Sequence, residues 1–431
     1  MAFNFGKVCA ITMAMISVRA VMKVINLTEP MPKKVKAHQV SEWPIWALAF
    51  RPYFLVAGVL AVGSMSYWLL MLSGYANWHL TVPATLWHAH EMLFGFSGVV
   101  AMGFLLTAAQ TWTGVPSVSG SKLCLMTGVW LLARLSFFLP AIITANFNLY
   151  VVGVFQLIWW LAGIITLSNM LLKASSKQNY VFIVIASMLC TLNMIFLALV
   201  VAEKMLFALS VVDTAVIVMT LLVGIVAGRV VPFFTARGLN LTEQVRLPRL
   251  DKLVVVSSLF AIAWFFFSQL FFNQMSVGWV FAWLACLHFY RCVAWWHKGI
   301  LKVPLLWSLH LSYWALSIGL LLIALSSYSS FILFKDALHF ITVGTVGLMI
   351  LAMMVRVSHG HTGRPLKVPF IITLAFVCIA VAAIIRALLI SVIGHHLAWQ
   401  LSAMLWIAGF LLFLFHCAPI LVKRRVDGRV G

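Results

Sequence analysis

Long apolar runs constrain the fold of this chain more than any other feature of its sequence. A helix needs about 20 apolar residues to cross a hydrocarbon core of roughly 30 Å, and only helices or closed barrels satisfy the backbone there. The alternating pattern of barrel strands is absent from this sequence. Runs of adequate length fall near 50–72, 85–110, 121–139, 147–171, 180–201, 206–228, 252–272, 277–297, 304–326, 333–356, 369–392 and 397–421. We therefore predict an all-α polytopic membrane protein with about twelve transmembrane helices.

Composition excludes a soluble protein and a nucleic-acid-binding one. Hydrophobic residues make up 64% of the 431 residues and charged residues only 9%, whereas a soluble domain carries about 25% charged residues. The net charge is +20, but the basic residues are scattered between apolar runs and form no basic patch with interleaved aromatics. The predicted partner is therefore the lipid bilayer, and no nucleic acid is expected.

The basic residues also predict the orientation of the helices. With both termini in the cytoplasm, 23 of the 29 lysines and arginines fall in cytoplasmic segments, and only Lys204 and Lys335 fall in the opposite loops. Such a bias follows the positive-inside rule. We predict both termini in the cytoplasm and a multi-pass protein of the bacterial cytoplasmic (inner) membrane.

The predicted organisation is a single membrane domain with short flanking segments. Residues 46–421 form the twelve-helix domain, and residues 422–431 form a basic cytoplasmic tail. Residues 1–45 are interpreted as a cytoplasmic, amphipathic segment, or as an extension upstream of a start at Met31. A cleaved signal peptide is less consistent with the charge bias, because cleavage would leave Lys33, Lys34 and Lys36 facing outward.

Several histidines lie at membrane depth, where an ionisable group is costly unless it is paired or liganded. His88 and His90 open the second run, and His339 lies in the outer part of the tenth. If residues 87–92 are helical, His88 shares a face with Glu91 and Met92, and His90 points the other way. If the helix starts only at His90, the two rings can converge. The sequence leaves both alternatives open.

A second group of histidines lies toward the cytoplasmic side. His310 is about two turns into the ninth run, and His359 and His361 follow the tenth beside Arg364. An arginine next to imidazoles suits a carboxylate such as a haem propionate, and neutral imidazole ligates haem iron, copper and zinc. The spread in depth predicts two sites, or one site and a structural loop.

Other polar groups in the apolar runs are weaker candidates. His288 lies between Cys286 and Cys292, but the seven cysteines contain no C-x-x-C and are interpreted as small apolar residues in helices. Asp213 is expected to pair with Arg134 or Arg386, or to belong to a proton path. The sequence lacks a Walker A motif, a dinucleotide fingerprint and a nucleophile elbow, so ATP-driven transport and serine hydrolysis have no support.

Five sequence blocks occur in a fixed order along the chain: F-R-P-Y-F at 50–54, W-H-A-H-E-M at 87–92, G-R-V-V-P at 228–232, His339 with Gly344 and Gly347, and G-H-T-G-R-P at 360–365. Together these blocks resemble the NnrS family of haem- and copper-containing membrane proteins linked to the nitric oxide response. The resemblance covers about residues 45–420. His359 departs from it, because that place is usually apolar in the family.

The resemblance implies haem and copper as cofactors and a role in tolerance of nitric oxide and nitrosative stress. Carried over by position, the cofactor-binding candidates are His88, His90, His310, His339, His361, Arg51, Arg229 and Arg364. The histidines of this set are also the metal-ligand candidates, with Glu91, His288 and His359 as weaker ones. No catalytic residue is assigned, and whether the protein is an enzyme stays open.

Two functions remain in competition at the level of sequence. The first is a haem- and copper-binding protein that binds, senses or processes nitric oxide or its iron complexes. The second is a secondary transporter of copper, haem or a small metabolite, with Asp213, Arg134 and Arg386 as coupling charges. No repeat of the histidine motifs between the two halves is visible in the sequence, which weakens the second hypothesis.

Overall fold

Twelve long helices build the part of the chain that the structure describes, residues 42–140, 146–271 and 276–428 of this computed structural model. They are α1 Phe50–Leu72, α2 Ala84–Thr113, α3 Gly120–Leu135, α4 Phe147–Lys173, α5 Tyr180–Val201, α6 Met205–Gly238, α7 Pro248–Phe271, α8 Gly278–Ala294, α9 Pro304–Ser326, α10 Phe334–Gly360, α11 Phe370–Ala387 and α12 His395–Val422. Each helix falls on one of the predicted apolar runs.

Within the described residues, eleven of these helices are long and apolar enough to cross a membrane. The remaining one, α8, has 17 residues, which corresponds to about 25 Å at 1.5 Å per residue. The prediction of an all-α polytopic membrane protein is confirmed. Its orientation relative to the cytoplasm, and the boundaries proposed for the flanking segments, stay predictions. The alternatives for the N-terminal segment concern residues that lie almost wholly outside the described ranges.

The start of α1 and the end of α12 meet at one end of the bundle. The Arg51 guanidinium donates hydrogen bonds of 2.8 Å to the carbonyl oxygens of Leu421 and Lys423. Because the start of α1 and the end of α12 lie on the same side, the chain must cross the bundle an even number of times. The eleven long apolar helices alone would give an odd number, so α8 is also a crossing. We call this end the terminal side and the opposite end the distal side.

Three helices form the centre of the bundle. In α2, α6 and α10, 78%, 78% and 83% of the residues in the most apolar stretch are buried, compared with 28% in α1 and α7. Helices α1 and α7 therefore present most of their apolar surface to lipid, as expected where the solvent is hydrocarbon. Any polar side chain that points inward from α2, α6 or α10 is enclosed by protein.

The twelve helices form three consecutive units of four, α1–α4, α5–α8 and α9–α12. The second helix of each unit is one of the central helices. The last helix of each unit packs against the first helix of the next, in the pairs α4 with α5 and α8 with α9, and α12 closes the ring against α1.

The sequence shows no repeat of the histidine motifs between two halves, and the repeat that exists relates the first and third four-helix units. A shift of 249 residues places His90 on His339, Gly95 on Gly344 and Gly98 on Gly347. The same shift places Gly114 on Gly363, and these glycines, which follow the ends of α2 and α10, have φ of +69° and +73°.

The repeat extends to an unusual backbone feature of α2 and α10. Both helices open with normal α-helical turns and then widen into a π-helical segment, Glu91–Ser97 in α2 and Phe340–Gly347 in α10. At the end of each segment a glycine faces an indole of the fourth helix of its unit, Gly98 facing Trp160 and Gly347 facing Trp406. Such π-helical segments often mark functional sites.

Candidate cofactor cavity and histidine sites

A cavity of about 620 Å³ lies on the distal side, between the beginnings of α2 and α10. Cofactor and ligand pockets commonly have volumes of 300–1,000 Å³ and mostly apolar walls. This cavity has such walls, including four methionines and three tryptophans. The residues are Met65, Met71, Met92, Met219, Trp68, Trp399 and Trp406.

His88 lines this cavity from the first turns of α2. The α-helical segment covers Ala84–His90, so of the two alternatives left open by the sequence, the structure has the helical one. The ring of His88 stacks on Trp68 with centroids 4.5 Å apart. Its Nδ1 is buried and has no hydrogen-bond partner within the described ranges, which is costly for a polar atom unless a ligand satisfies it.

His339 lines the same cavity from the first turns of α10. Its Nδ1 lies 2.7 Å from the carbonyl oxygen of Lys335, which can only accept, and 3.2 Å from Arg386 Nη2, which can only donate. The shorter contact favours the tautomer with the proton on Nδ1. Nε2 is then the nitrogen with the free lone pair, which is the arrangement typical of metal-ligating histidines.

Two ion pairs form the polar part of the cavity region. Lys335 Nζ lies 2.6 Å from both carboxylate oxygens of Asp213, and Arg386 Nη1 lies 2.6 Å from Asp336 Oδ1. The sequence predicted a buried pair for Asp213, but with Arg134 or Arg386. The structure gives it Lys335 because the beginning of α10 packs against the cavity wall of α6.

His90 points away from the cavity and is held by protein groups on both sides of its ring. Nδ1 lies 2.9 Å from Glu91 Oε1, and Nε2 lies 3.0 Å from Asn193 Oδ1. Glu91 is in turn 3.1 Å from the guanidinium of Arg134. The helical alternative expected Glu91 on the face of His88 and Met92. The π-helical segment begins at Glu91, and the carboxylate lies with His90 instead.

On the terminal side, His310 is also engaged by protein. Its Nε2 lies 2.8 Å from Thr235 Oγ1, and that hydroxyl donates to the carbonyl oxygen of Val231 at 2.8 Å. The hydroxyl therefore accepts from His310, so Nε2 carries the proton and Nδ1 has the lone pair.

His361 lies directly beyond the end of α10, against the first turn of α1. Its ring is 5.6 Å from that of Phe50. Burial, and then the positive charges of Arg425 and Arg51, lower the pKa of His361 to about 4. The imidazole is therefore neutral near pH 7, as a metal ligand must be.

The three candidate arginines have partners in the protein. Arg51 binds the end of α12 as described. Arg229 donates to Asn179 and to the carbonyl oxygen of Gln178, and its guanidinium lies 5.0 Å from the Phe182 ring. Arg364 lies 3.5 Å from the carbonyl oxygen of Thr362. The contacts of Arg51 and Arg229 connect helix ends on the terminal side, whereas that of Arg364 lies within the loop after α10.

His288 belongs to a buried hydrogen-bond network between α6, α7, α8 and α9. Tyr313 donates from its hydroxyl to His288 Nδ1 at 2.7 Å and accepts from Arg291 Nη1 at 2.8 Å. Arg291 also pairs with Asp251. The sulfur of Cys292 lies 3.6 Å from the carbonyl oxygen of Tyr313, so it contacts this network rather than forming a separate cluster with His288.

The residues that sequence reasoning missed are His416 and Cys417, near the end of α12. Together with His359 they place two imidazole nitrogens and one sulfur within 4.8 Å of one another. The adjacent His and Cys were a signal, since both are metal-ligand types. Their proximity to His359 depends on how α10 and α12 pack, which the sequence does not show.

The fold and these sites define a polytopic helical membrane protein whose central helices carry histidines into an apolar cavity. The sequence model of the NnrS protein family matches residues 44–425. The chain therefore belongs to the NnrS family, which comprises membrane proteins related to the nitric oxide response and is associated with haem and metal binding. No curated protein matches the chain.

Proposed function

We propose that the protein binds haem in the distal cavity and acts in nitric oxide response and nitrosative-stress tolerance. His88 and His339 are the proposed ligands of the haem iron. The observation that carries the proposal is that His88 and His339 reach one cavity from two different central helices. The family match supports the link to nitric oxide.

The residues present fit a haem. The buried Nδ1 of His88 lacks a partner among the described residues, and His339 keeps a lone pair on Nε2 because its Nδ1 is engaged by the Lys335 carbonyl. The apolar walls suit a porphyrin face. Lys335 and Arg386 line the same cavity and provide cationic hydrogen-bond donors for carboxylates such as propionates.

The remaining histidine candidates have other roles in this proposal. His90, His310 and His288 are held by hydrogen bonds to Asn193, Thr235 and Tyr313. The first two bonds join the central helices α2 and α6 to their neighbours, and the third joins α8 to α9. Arg51, Arg229 and Arg364 position the helix ends of the terminal side. Copper is the second proposed cofactor, and it belongs on the terminal side, where His359 and His361 lie.

A haem in this cavity would supply a ferrous iron for nitric oxide, a gas apolar enough to enter the bilayer, if one of the two imidazoles gave way to the gas. The imidazoles of His88 and His339 and the polarity of the pocket would set whether the gas is bound, sensed or processed. The protein contributes the position of His88 on Trp68, the tautomer of His339 and the apolar walls of the cavity.

The proposed location is the bacterial cytoplasmic membrane, with the terminal side facing the cytoplasm. The bias of lysines and arginines toward loops on that side supports it.

The test is an absorption spectrum of the purified, dithionite-reduced protein with and without nitric oxide. We expect a Soret band that shifts when nitric oxide is added, and a haem content near one per chain. A colourless protein that moves copper, haem or a small metabolite across proteoliposomes would contradict the proposal and support the transporter hypothesis instead.

A further inference from the structure

A compact cluster of metal-ligand side chains lies on the terminal side, far from the distal cavity. His359 is 20 residues after His339 on α10, a distance of about 30 Å along a helix axis. In the cluster, His359 Nε2 lies 3.1 Å from His416 Nε2, and the two rings are stacked with centroids 5.3 Å apart. The Cys417 sulfur completes the set within 4.8 Å.

The ring of His359 is already oriented as a ligand. Its Nδ1 lies 2.9 Å from the carbonyl oxygen of Pro365, and because the carbonyl can only accept, Nδ1 carries the proton. The lone pair on Nε2 therefore points at His416. Metal-ligating histidines commonly donate their other ring N–H to a carbonyl in this way, which fixes both tautomer and orientation.

The spacing of the two imidazoles suits a shared ion. Two nitrogens bound at 2.0–2.1 Å to one metal lie roughly 3.3 Å apart at a tetrahedral angle and roughly 3.5 Å apart at a trigonal one, a few tenths of an ångström from the observed separation of 3.1 Å. The alternative is a simple hydrogen bond between the two rings. That alternative assigns no role to the Cys417 sulfur, which is fully buried beside them.

We propose that His359, His416 and Cys417 bind one copper ion in the Cu(I) state. A thiolate with two imidazoles is a soft ligand set that favours Cu(I). Among the residues that the structure describes, the group has three members and no fourth, which suits Cu(I) better than Zn²⁺, since zinc prefers four ligands. Binding replaces the thiol proton of Cys417, which is released to water as the copper–sulfur bond forms. His416 is half-buried and provides the route of entry from the terminal side.

This inference rests on the copper part of the proposed function but does not depend on the haem. Because His359 stands at a place that is usually apolar in the family, this copper site is assigned to this chain and not to the family as a whole. The experiment uses the full chain in detergent micelles. Cu(I) is added in competition with a chromophoric chelator, and the copper bound per protein is then measured. The variants are Cys417→Ser and His416→Ala. The matched controls are Cys378→Ser, another buried cysteine in a membrane helix, and His395→Ala, an exposed histidine on the same helix as His416.

We expect Cys417→Ser and His416→Ala each to lose about one equivalent of copper relative to the unaltered chain, and both controls to retain it. X-ray absorption at the copper edge should show a sulfur ligand that is absent from Cys417→Ser. Unchanged copper content in both variants, or a site that takes Zn²⁺ in preference to Cu(I), would overturn the proposal. Because His416 is partly exposed, its variant tests the site even where Cys417→Ser fails to fold.

The Soret band separates this result from a failure of the proposed function. Loss of copper from the variants with the haem spectrum unchanged supports two independent sites. A colourless protein that still binds Cu(I) through Cys417 would refute the haem site and leave this one intact.

Discussion

His90 and His339 occupy equivalent positions in the first and third four-helix units, yet only His339 faces the distal cavity. Both begin a His-x4-Gly-x2-Gly pattern that enters a π-helical segment. The ring of His90 is enclosed by Glu91 and Asn193. The histidine of α2 that shares the cavity with His339 is instead His88, two residues before His90. The two units therefore share the same helical backbone, but their equivalent histidines lie in different surroundings.

The buried ion pair behind His90 gives the first prediction. Glu91 and Arg134 are 1% and 7% exposed, and removal of one member leaves an uncompensated charge in protein, which costs about 3–5 kcal/mol. We expect Arg134→Met to lower the midpoint of thermal unfolding in detergent clearly, and the double variant with Glu91→Gln to recover part of the loss. Equal destabilisation in the single and double variants would contradict the pairing.

The glycines at the ends of the π-helical segments give a second prediction. A Cβ at Gly347 would lie 2.5 Å from the Trp406 ring, whereas a Cβ at Gly98 would lie 3.3 Å from Trp160. Overpacking of this kind costs about 1–3 kcal/mol. We expect Gly347→Ala to be more destabilising than Gly98→Ala. Gly63→Ala is the control, because no heavy atom of the described structure lies within 4 Å of its added Cβ.

The contact of Arg51 with the end of α12 gives a third prediction. Two hydrogen bonds to carbonyl oxygens from a charged donor contribute about 1.5–3 kcal/mol each, and they close the ring of helices. Arg51→Met should therefore accelerate proteolysis of the C-terminal segment and lower thermal stability. Arg424→Met, at an exposed position nearby, should do neither. A stable Arg51→Met variant would show that the packing of α1 on α12 is sufficient without these bonds.

Much of the architecture could be predicted from sequence because it follows from one local property. Apolar length sets each helix independently, so all twelve helices fall on the predicted runs, although α6 continues to Gly238, beyond the predicted end of its run. The partner of Asp213, by contrast, depends on the packing of α6 and α10. The same holds for the cluster of His359 with His416 and Cys417, whose members lie 57 residues apart in the chain.

The repeat between the first and third units could not be recognised from the histidines alone, because the equivalent of His88 in the third unit is Ala337. The glycines preserve the repeat better than the ligands do. Gly98 and Gly347 are in close contact with Trp160 and Trp406, whereas the histidines have different partners in each unit.

The most direct test of the haem site is the haem content of purified His88→Ala and His339→Ala, measured as the pyridine haemochrome per chain. His90→Gln is the matched control, since glutamine retains hydrogen-bonding groups for Glu91 and Asn193. We predict that haem falls at least about tenfold in both alanine variants, while the control keeps the content of the unaltered protein. Full haem content in His88→Ala and His339→Ala, or loss in His90→Gln alone, would contradict the assignment of the distal cavity as the haem site.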